Sequence, residues 1–443
     1  MMRHDDLLDI ARRAVAQARA AGAQEAVASA SRGVAVELSQ REGLLEQATE
    51  SRSSSLGIRL LVDDRYSSHG TSDLRLDAVE VFIQRAVAAT RLLEPDPDRA
   101  LPAAEACGVA EGVDLDSYSE DQEGLSTGQR RQQVADLEAA LMARSDRGAL
   151  RSTTAYTGDS RSAAVVVYSN GFEGINRATS FGYGATITLE DADGKLPEAS
   201  TGYSASHDPD LPGLAFVADE AWERALRRIG GGPVPSGRYP MLLENRAVGK
   251  VLGILLGPMG GSALHYGRSC LDGKLGQRVA ARGFDLLDEP HIVRGAGSRL
   301  FDGDGFPTRP RALVRGGELQ CFLMNQYYAR KLGRDPTTGS TSNLVIPPGA
   351  RSPQAIAADL PRAIRVESFL GGNANSTTGD FSFGIRGTLL EHGQATRSVS
   401  EMNIAGNLFE LYERFAEAAD DVRRYGTSRV PSVLFDDIQF SGM

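Results

Sequence analysis

The sequence predicts an α+β protein in three parts, and three observations predict it. In the first hundred or so residues, two amphipathic helical stretches flank short strand-like runs. After a polar connector, strands and helices mix again, and from there to the end many strand-like runs are separated by Gly and Pro. The parts are an N-terminal helix and antiparallel-sheet domain (1–105), a central mixed α/β connector domain (106–233), and a C-terminal domain (234–443). The last is expected to be a curved antiparallel sheet or partial β-barrel, because so many turns in so short a span favour curvature. A chain of 443 residues can bury a separate core in each.

The opening stretch reads as a helix because Leu8, Ala11, Val15 and Ala18 recur at spacings of 3 and 4. Three short strands follow ("EAVASA", "GVAVELSQ", "LLEQATES"), then a hairpin turning at Asp63, Asp64 and Arg65. A second helix places Leu76, Val79, Ile83, Val87 and Leu92 on one face and stops at "EPDPDRALP", where proline blocks continuation. Residues 102–125 are acidic and poor in apolar pattern, and read as a connector. A polar helix around "GQRRQQVADLEAALMARS" leads into four strands ("LRSTTAYTGD", "AAVVVYSN", "TSFGYGATITLE", "EASTGYSASHD"), "DADGK" turning between the last two. The helix "LAFVADEAWERALRRI" buries Ala218, Ala221, Trp222, Ala225 and Ile229 and ends at Gly230. Beyond "GGGPVPSGRYP" come a strand, a helix opening at "LLENRAVGKVLG", a Gly-rich stretch and many short strands. A hairpin at Gly316-Gly317 is among them. A closing helix, "LFELYERFAEAADDV", precedes a last strand, "PSVLFDDIQF".

Composition bounds the function. Hydrophobic residues make up 41% and charged residues 24%, ordinary for a soluble globular protein. A net charge of −10 argues against a nucleic-acid surface, which needs a concentrated positive field. Cys107, Cys270 and Cys321 lack the spacing of a disulfide framework or a zinc cluster and fit a reducing compartment. No signal peptide and no run of eighteen apolar residues is found, so no membrane is expected and the location is expected to be cytoplasmic.

The chemistry centres on "NRAVGK". Asn245, Arg246 and Lys250 stand where a peptidase helix could carry metal ligands and a general base. Zinc needs imidazole, thiolate or carboxylate, and here the candidates are an amide and two cations. Arg keeps its proton and a charged Lys repels a divalent ion. As a zinc site the helix is dead. The plainer reading buries Ala247, Val248, Val251, Leu252 and Leu255 and makes Asn245 the cap. His265, beside Tyr266 and Arg268, is the most suggestive of six scattered histidines, and a site around His265, Tyr266 and Asp304 would make an autonomous hydrolase. "FDGDGF" lacks the further ligands of a calcium loop and reads as a surface turn. The run "LGGNANSTTGDFSFG" offers Gly371, Gly372, Asn373, Asn375, Thr378 and Asp380 as a possible peptide-contact loop, or more plainly a tight turn feeding a strand.

Several long motifs resemble the TldD/PmbA family of zinc metallopeptidase-like proteins. They are "GAGSRLFDGDGFPTRPRALVRGGELQCFLMNQYYARKLG", "FLGGNANSTTGDFSFGIRG", "MNIAGNLFELYERF" and "RVPSVLFDDIQFSG", with "GGS" at 260–262 and the N-terminal "LGIRLLVDDRYSSHGTSDL" and "LLEPDPDRALP". The resemblance covers most of the chain in the family's order, with 106–233 matching mainly in outline. It implies one of two branches: TldD-like chains carry His-Glu-x-x-x-His and a later Cys ligand, and PmbA/TldE chains lack them. Here Asn245 and Lys250 stand where histidines would, Arg246 where the glutamate would, and no Cys follows Cys321. The resemblance therefore implies a chain without metal or catalytic residues, paired as a heterodimer with a TldD-like subunit that holds zinc. The pair would hydrolyse unfolded or small peptides, natural-product precursors included. An extended peptide could bind by strand addition, which selects chains with free backbone donors and acceptors. A homodimeric, non-enzymatic peptide-binding protein is the other alternative.

Overall fold

The computed structural model describes residues 4–121 and 125–442. The start of the predicted first helix (1–3) and part of the predicted connector (122–124) lie outside the described residues, as does residue 443. Helix α1 (His4–Ala20) buries Leu8, Ala11, Val15 and Ala18, the face its spacing predicts. Strands β1 (Glu25–Arg41) and β2 (Leu44–Val62) form one long hairpin, and β3 (Arg65–Thr71) follows a turn in which Asp63 and Asp64 have φ of 49° and 61°. Where the sequence predicts several short runs, β1 and β2 are single strands. Ser31, Arg32 and Gly33 interrupt the apolar pattern without ending the strand, because the ladder holds them from both sides. Gly33 pairs with Ser53 on one edge and Ser162 on the other.

Helix α2 (Leu76–Thr90), helix α3 (Thr127–Met142), strands β4 (Leu150–Tyr168), β5 (Glu173–Leu189) and β6 (Glu198–Ala205), and helix α4 (Leu214–Leu226) come next. Ser126 caps α3 through a reciprocal box with Gln129. The six strands make one antiparallel sheet in the order β3-β2-β1-β4-β5-β6. Residues 1–105 and 106–233 thus share a sheet, and two cores distinguish them. One is α1 and α2 over Ala28, Ile58 and Val165; the other is α3 and α4 over Leu38, Ala155 and Ile187, with Trp222 fully buried. Ala28 and Leu38 are an even number of residues apart on β1, so both cores sit on the same face.

The C-terminal region begins with β7 (Gly237–Leu243), α5 (Asn245–Met259) and α6 (Gly261–His265). A small sheet follows, made of β8 (Leu286–Asp288), β9 (Arg311–Arg315), β10 (Glu318–Leu319), β11 (Leu344–Val345) and β16 (Ser428–Arg429), with α7 (Gln326–Leu332) between its strands in sequence. After α8 (Pro353–Ala358) come β12 (Arg362–Ala374), β13 (Asp380–Glu391), β14 (Gln394–Asn407), α9 (Leu408–Glu413), β15 (Phe415–Ala418) and β17 (Val433–Gly442). The predicted curved sheet is a closed five-stranded barrel. β14, β13, β12, β7 and β17 pair in turn, and β17 returns to β14 through Met402–Gly442 and Ile404–Phe440. The β7–β12 pair is parallel. Helix α5 packs into the barrel core with Met241, Ile364, Phe383, Ile404 and Phe440.

The predicted closing helix is corrected. It stops at Glu413, and β15 runs extended to pair Phe415 with Phe435 on β17. Leu408, Leu411, Tyr412 and Phe415 have helical spacing, yet the Phe415 ring packs on Phe284 and Phe435, and that packing overrides the local preference. "FDGDGF" is a turn with Gly303 exposed, as predicted, but it is anchored to the large sheet. Asp302 is buried and accepts the backbone N–H groups of Asp304 and Phe306, while Arg59 and Tyr168 of the large sheet both donate to the Gly303 carbonyl.

Candidate functional site

Strand β7 delivers the chain into α5 beside the parallel strand β12, where the Glu244 N–H donates to the Val366 carbonyl at 3.0 Å. Ala247, Val248, Val251, Leu252 and Leu255 are buried, as predicted. The cap is corrected: Glu244 occupies the N-cap position without a side-chain cap bond, and Asn245 is the first helical residue. Its Nδ2 instead donates to the Asp421 carbonyl (2.8 Å) and carboxylate (3.1 Å), a partner 176 positions away that no local pattern reveals. Burial pushes the Asp421 carboxyl up, against two hydrogen bonds from Ser432.

Arg246 leaves α5 toward the large sheet. Its guanidinium pairs with Glu220 of α4 and donates to the Tyr203 hydroxyl, lying 5.1 Å from that ring's centroid. Burial would raise the Glu220 carboxyl, but Arg246, Thr201 and Tyr203 together hold it below its ordinary value. Lys250, one turn on from Arg246, is exposed, with its ammonium 4.7 Å from the Phe383 ring centroid. No carboxylate pairs with it among the described residues. An amide bound to a carboxylate, a paired guanidinium and an ammonium on an aromatic ring do not fit a zinc ion. Among the described residues, no three His, Cys, Asp or Glu side chains gather as a metal site. Burial also pushes the thiols of Cys107, Cys270 and Cys321 up.

A charged belt that the sequence analysis missed surrounds these positions. Glu244 faces Arg227 (3.1 Å), Arg224 (3.4 Å) and Arg365 (3.6 Å), and Glu367 accepts from Thr388 (2.9 Å) and Arg365 (3.2 Å). Burial, then the neighbouring Glu367, pushes the Glu244 carboxyl up despite the three guanidiniums. The triple arginine at 224, 227 and 228 was the available signal, since three cations at the end of one helix need partners.

The proposed loop residues divide. Gly371 and Gly372 line a cavity of about 400 Å³ together with Arg224, Arg246, Lys250 and Glu367. Asn373 pairs with Ser382 in the ladder. Asn375, Thr378 and Asp380 close the β12–β13 turn on themselves. Asn375 accepts the Thr377 N–H, Thr378 donates to Asp380, and Asn407 donates to both the Thr378 carbonyl and Asp380. His265 lies against the rings of Tyr266 and Tyr328, and Asp304 accepts the Gln326 N–H at the start of α7. These contacts give His265, Tyr266 and Asp304 no hydrogen bond to one another that would activate a nucleophile.

The geometry of this helix-in-barrel frame has close counterparts. The "PmbA/TldA metallopeptidase C-terminal domain" matches residues 236–442, and the "PmbA/TldA metallopeptidase domain 1" matches residues 26–90. A solved structure from Bacteroides thetaiotaomicron, titled as a proposed modulator of DNA gyrase, is 31% identical and superposes with a TM-score of 0.92. The match covers 98% of this chain and 99% of that one. The chain belongs to the PmbA/TldD family. Metalloprotease PmbA of Escherichia coli O157:H7 is 25% identical over 438 residues, which span 97% of this chain and 94% of that protein. TldE from Thermococcus kodakarensis, 19% identical over 98% of this chain and all of that one, shares the fold at a TM-score of 0.84. Within the PmbA/TldD frame, the helix carrying Asn245, Arg246 and Lys250 is thus an integral part of the fold. No helix among the described residues is long and apolar enough to cross a membrane.

Proposed function

We propose that this PmbA/TldD-family chain is the PmbA/TldE-type, non-catalytic subunit of a heterodimeric zinc metalloprotease in the cytoplasm. Zinc and catalysis belong to a TldD-like partner, and this chain completes the passage for unfolded or small peptides. The observation that carries the reading is Arg246. Where the TldD-like motif would put its glutamate, this chain holds a guanidinium committed to Glu220 and Tyr203. The exposed end of β12, Leu370–Ala374, lies beyond the three residues that pair with β7, so an extended peptide could add to that free edge.

The test is to purify this chain alone and after mixing with a TldD-like chain, then to measure solution mass, zinc content and cleavage of an unstructured peptide. A stable heterodimer is expected, burying more than about 1,000 Å², with zinc and chelator-sensitive cleavage only when the partner is present. About one zinc per isolated chain, or separate species at micromolar concentration, would overturn the proposal.

A further inference from the structure

We infer that the cavity between α5 and the free edge of β12 is a carboxylate subsite, with Lys250 as its receptor. The inference rests on the peptide-passage reading above and names what that passage recognises. Three cations (Arg224, Arg246, Lys250) and one carboxylate (Glu367) are among the residues lining the cavity. Arg246 is held by Glu220, Arg224 faces Glu244, and Glu367 is already matched by Arg365 and Thr388. Lys250 is left without a carboxylate partner among the described residues, and its ammonium lies over the Phe383 ring at the cavity. Arg224 is buried beside it, and its Nε has no hydrogen-bond partner among the described residues. The cavity therefore presents net positive charge beside Gly371 and Gly372, which fall in the ladder's bulge between Leu370 and Asn373. A peptide along the β12 edge would bring a carboxylate, terminal or side-chain, within reach of the ammonium. A charge-assisted hydrogen bond there would hold the chain in register.

The experiment measures fluorescence anisotropy of the full chain with three unstructured octapeptides labelled at the N-terminus. One ends in a free carboxylate with neutral side chains, one is its C-terminal amide, and one is the amide with a single internal Glu. Binding of at least one carboxylate-bearing peptide should be about tenfold tighter than that of the neutral amide. The preferred one tells a terminal from a side-chain carboxylate. Lys250→Met should erase the difference and Lys250→Arg should keep most of it; because Lys250 is exposed, both variants should fold. Equal binding of all three peptides, or a preference that survives Lys250→Met, overturns the inference and leaves the peptide-passage reading standing. No binding of any peptide overturns the inference, while the heterodimer reading stands or falls on solution mass and zinc content.

Discussion

Arg246 and Glu220 face each other between α5 and α4, and the Tyr203 hydroxyl bridges them, donating to the carboxylate while accepting from the guanidinium. The pair ties the helix of the barrel to the helix layer of the large sheet, and both side chains are mostly buried. Arg246→Met or Glu220→Gln alone leaves its partner without a counter-charge and should cost about 2–4 kcal/mol. The double variant should cost less than the sum of the two, which chemical denaturation of all four proteins would measure.

The pair also sets an acid limb. Glu220 is held below its ordinary value of 4.5 in the folded chain, so its stabilisation is complete above about 4.5 and is lost as pH falls through the depressed folded value. The stability gap between the wild type and Glu220→Gln should be widest near pH 7 and close steadily below pH about 4. Melting temperatures from pH 7 to pH 3 would show this; a constant gap would mean that the carboxylate's charge contributes nothing.

Introducing a His-Glu-x-x-x-His motif at 245–250 should not create a peptidase. In a chain carrying Asn245→His, Arg246→Glu and Lys250→His, the new glutamate meets Glu220, and the histidine at 245 abandons Asp421. Two carboxylates at partly buried positions raise each other's pKa and destabilise the fold. No thiol follows Cys321 to complete a ligand set. Weak or absent zinc binding by competition and a lower melting temperature are expected. Tight zinc binding with chelator-sensitive turnover would refute this.

The adjacent glycines of β12 should behave differently. At Gly372, φ is +81° and a Cβ would lie 2.1 Å from the Ser382 carbonyl oxygen; at Gly371, φ is +54° and the space is open. Gly371→Ala should cost about 1–2 kcal/mol, the left-handed backbone alone. Gly372→Ala must also push strand β13 away, so it should cost more and weaken peptide binding. Paired unfolding and anisotropy measurements on the two variants would decide it.

What the sequence disclosed was governed by range. The buried face of α5 and the turns at Asp63-Asp64 and Gly316-Gly317 follow from neighbours a few residues apart, and the structure has them. Asn245 was misread as a cap because an amide before a helix is a good local cap, whereas its partner Asp421 lies far along the chain. The same limit hid the Glu244–Arg365 and Arg246–Glu220 pairs, the closure of the barrel and the sheet shared by the first two parts. Helical spacing through Phe415 misled for the opposite reason, since a local signal was present and tertiary packing overruled it.

The barrel's last partner has a consequence for how the protein is made. β17 is the strand that joins β7 to β14, and it is synthesised about two hundred residues after β7. Until Val433–Gly442 leaves the ribosome, β7 and β14 each present a row of unpaired backbone groups, and the core around α5 lies open on one side. The nascent chain therefore passes through a long window in which chaperones, or another chain's strand, can occupy that gap.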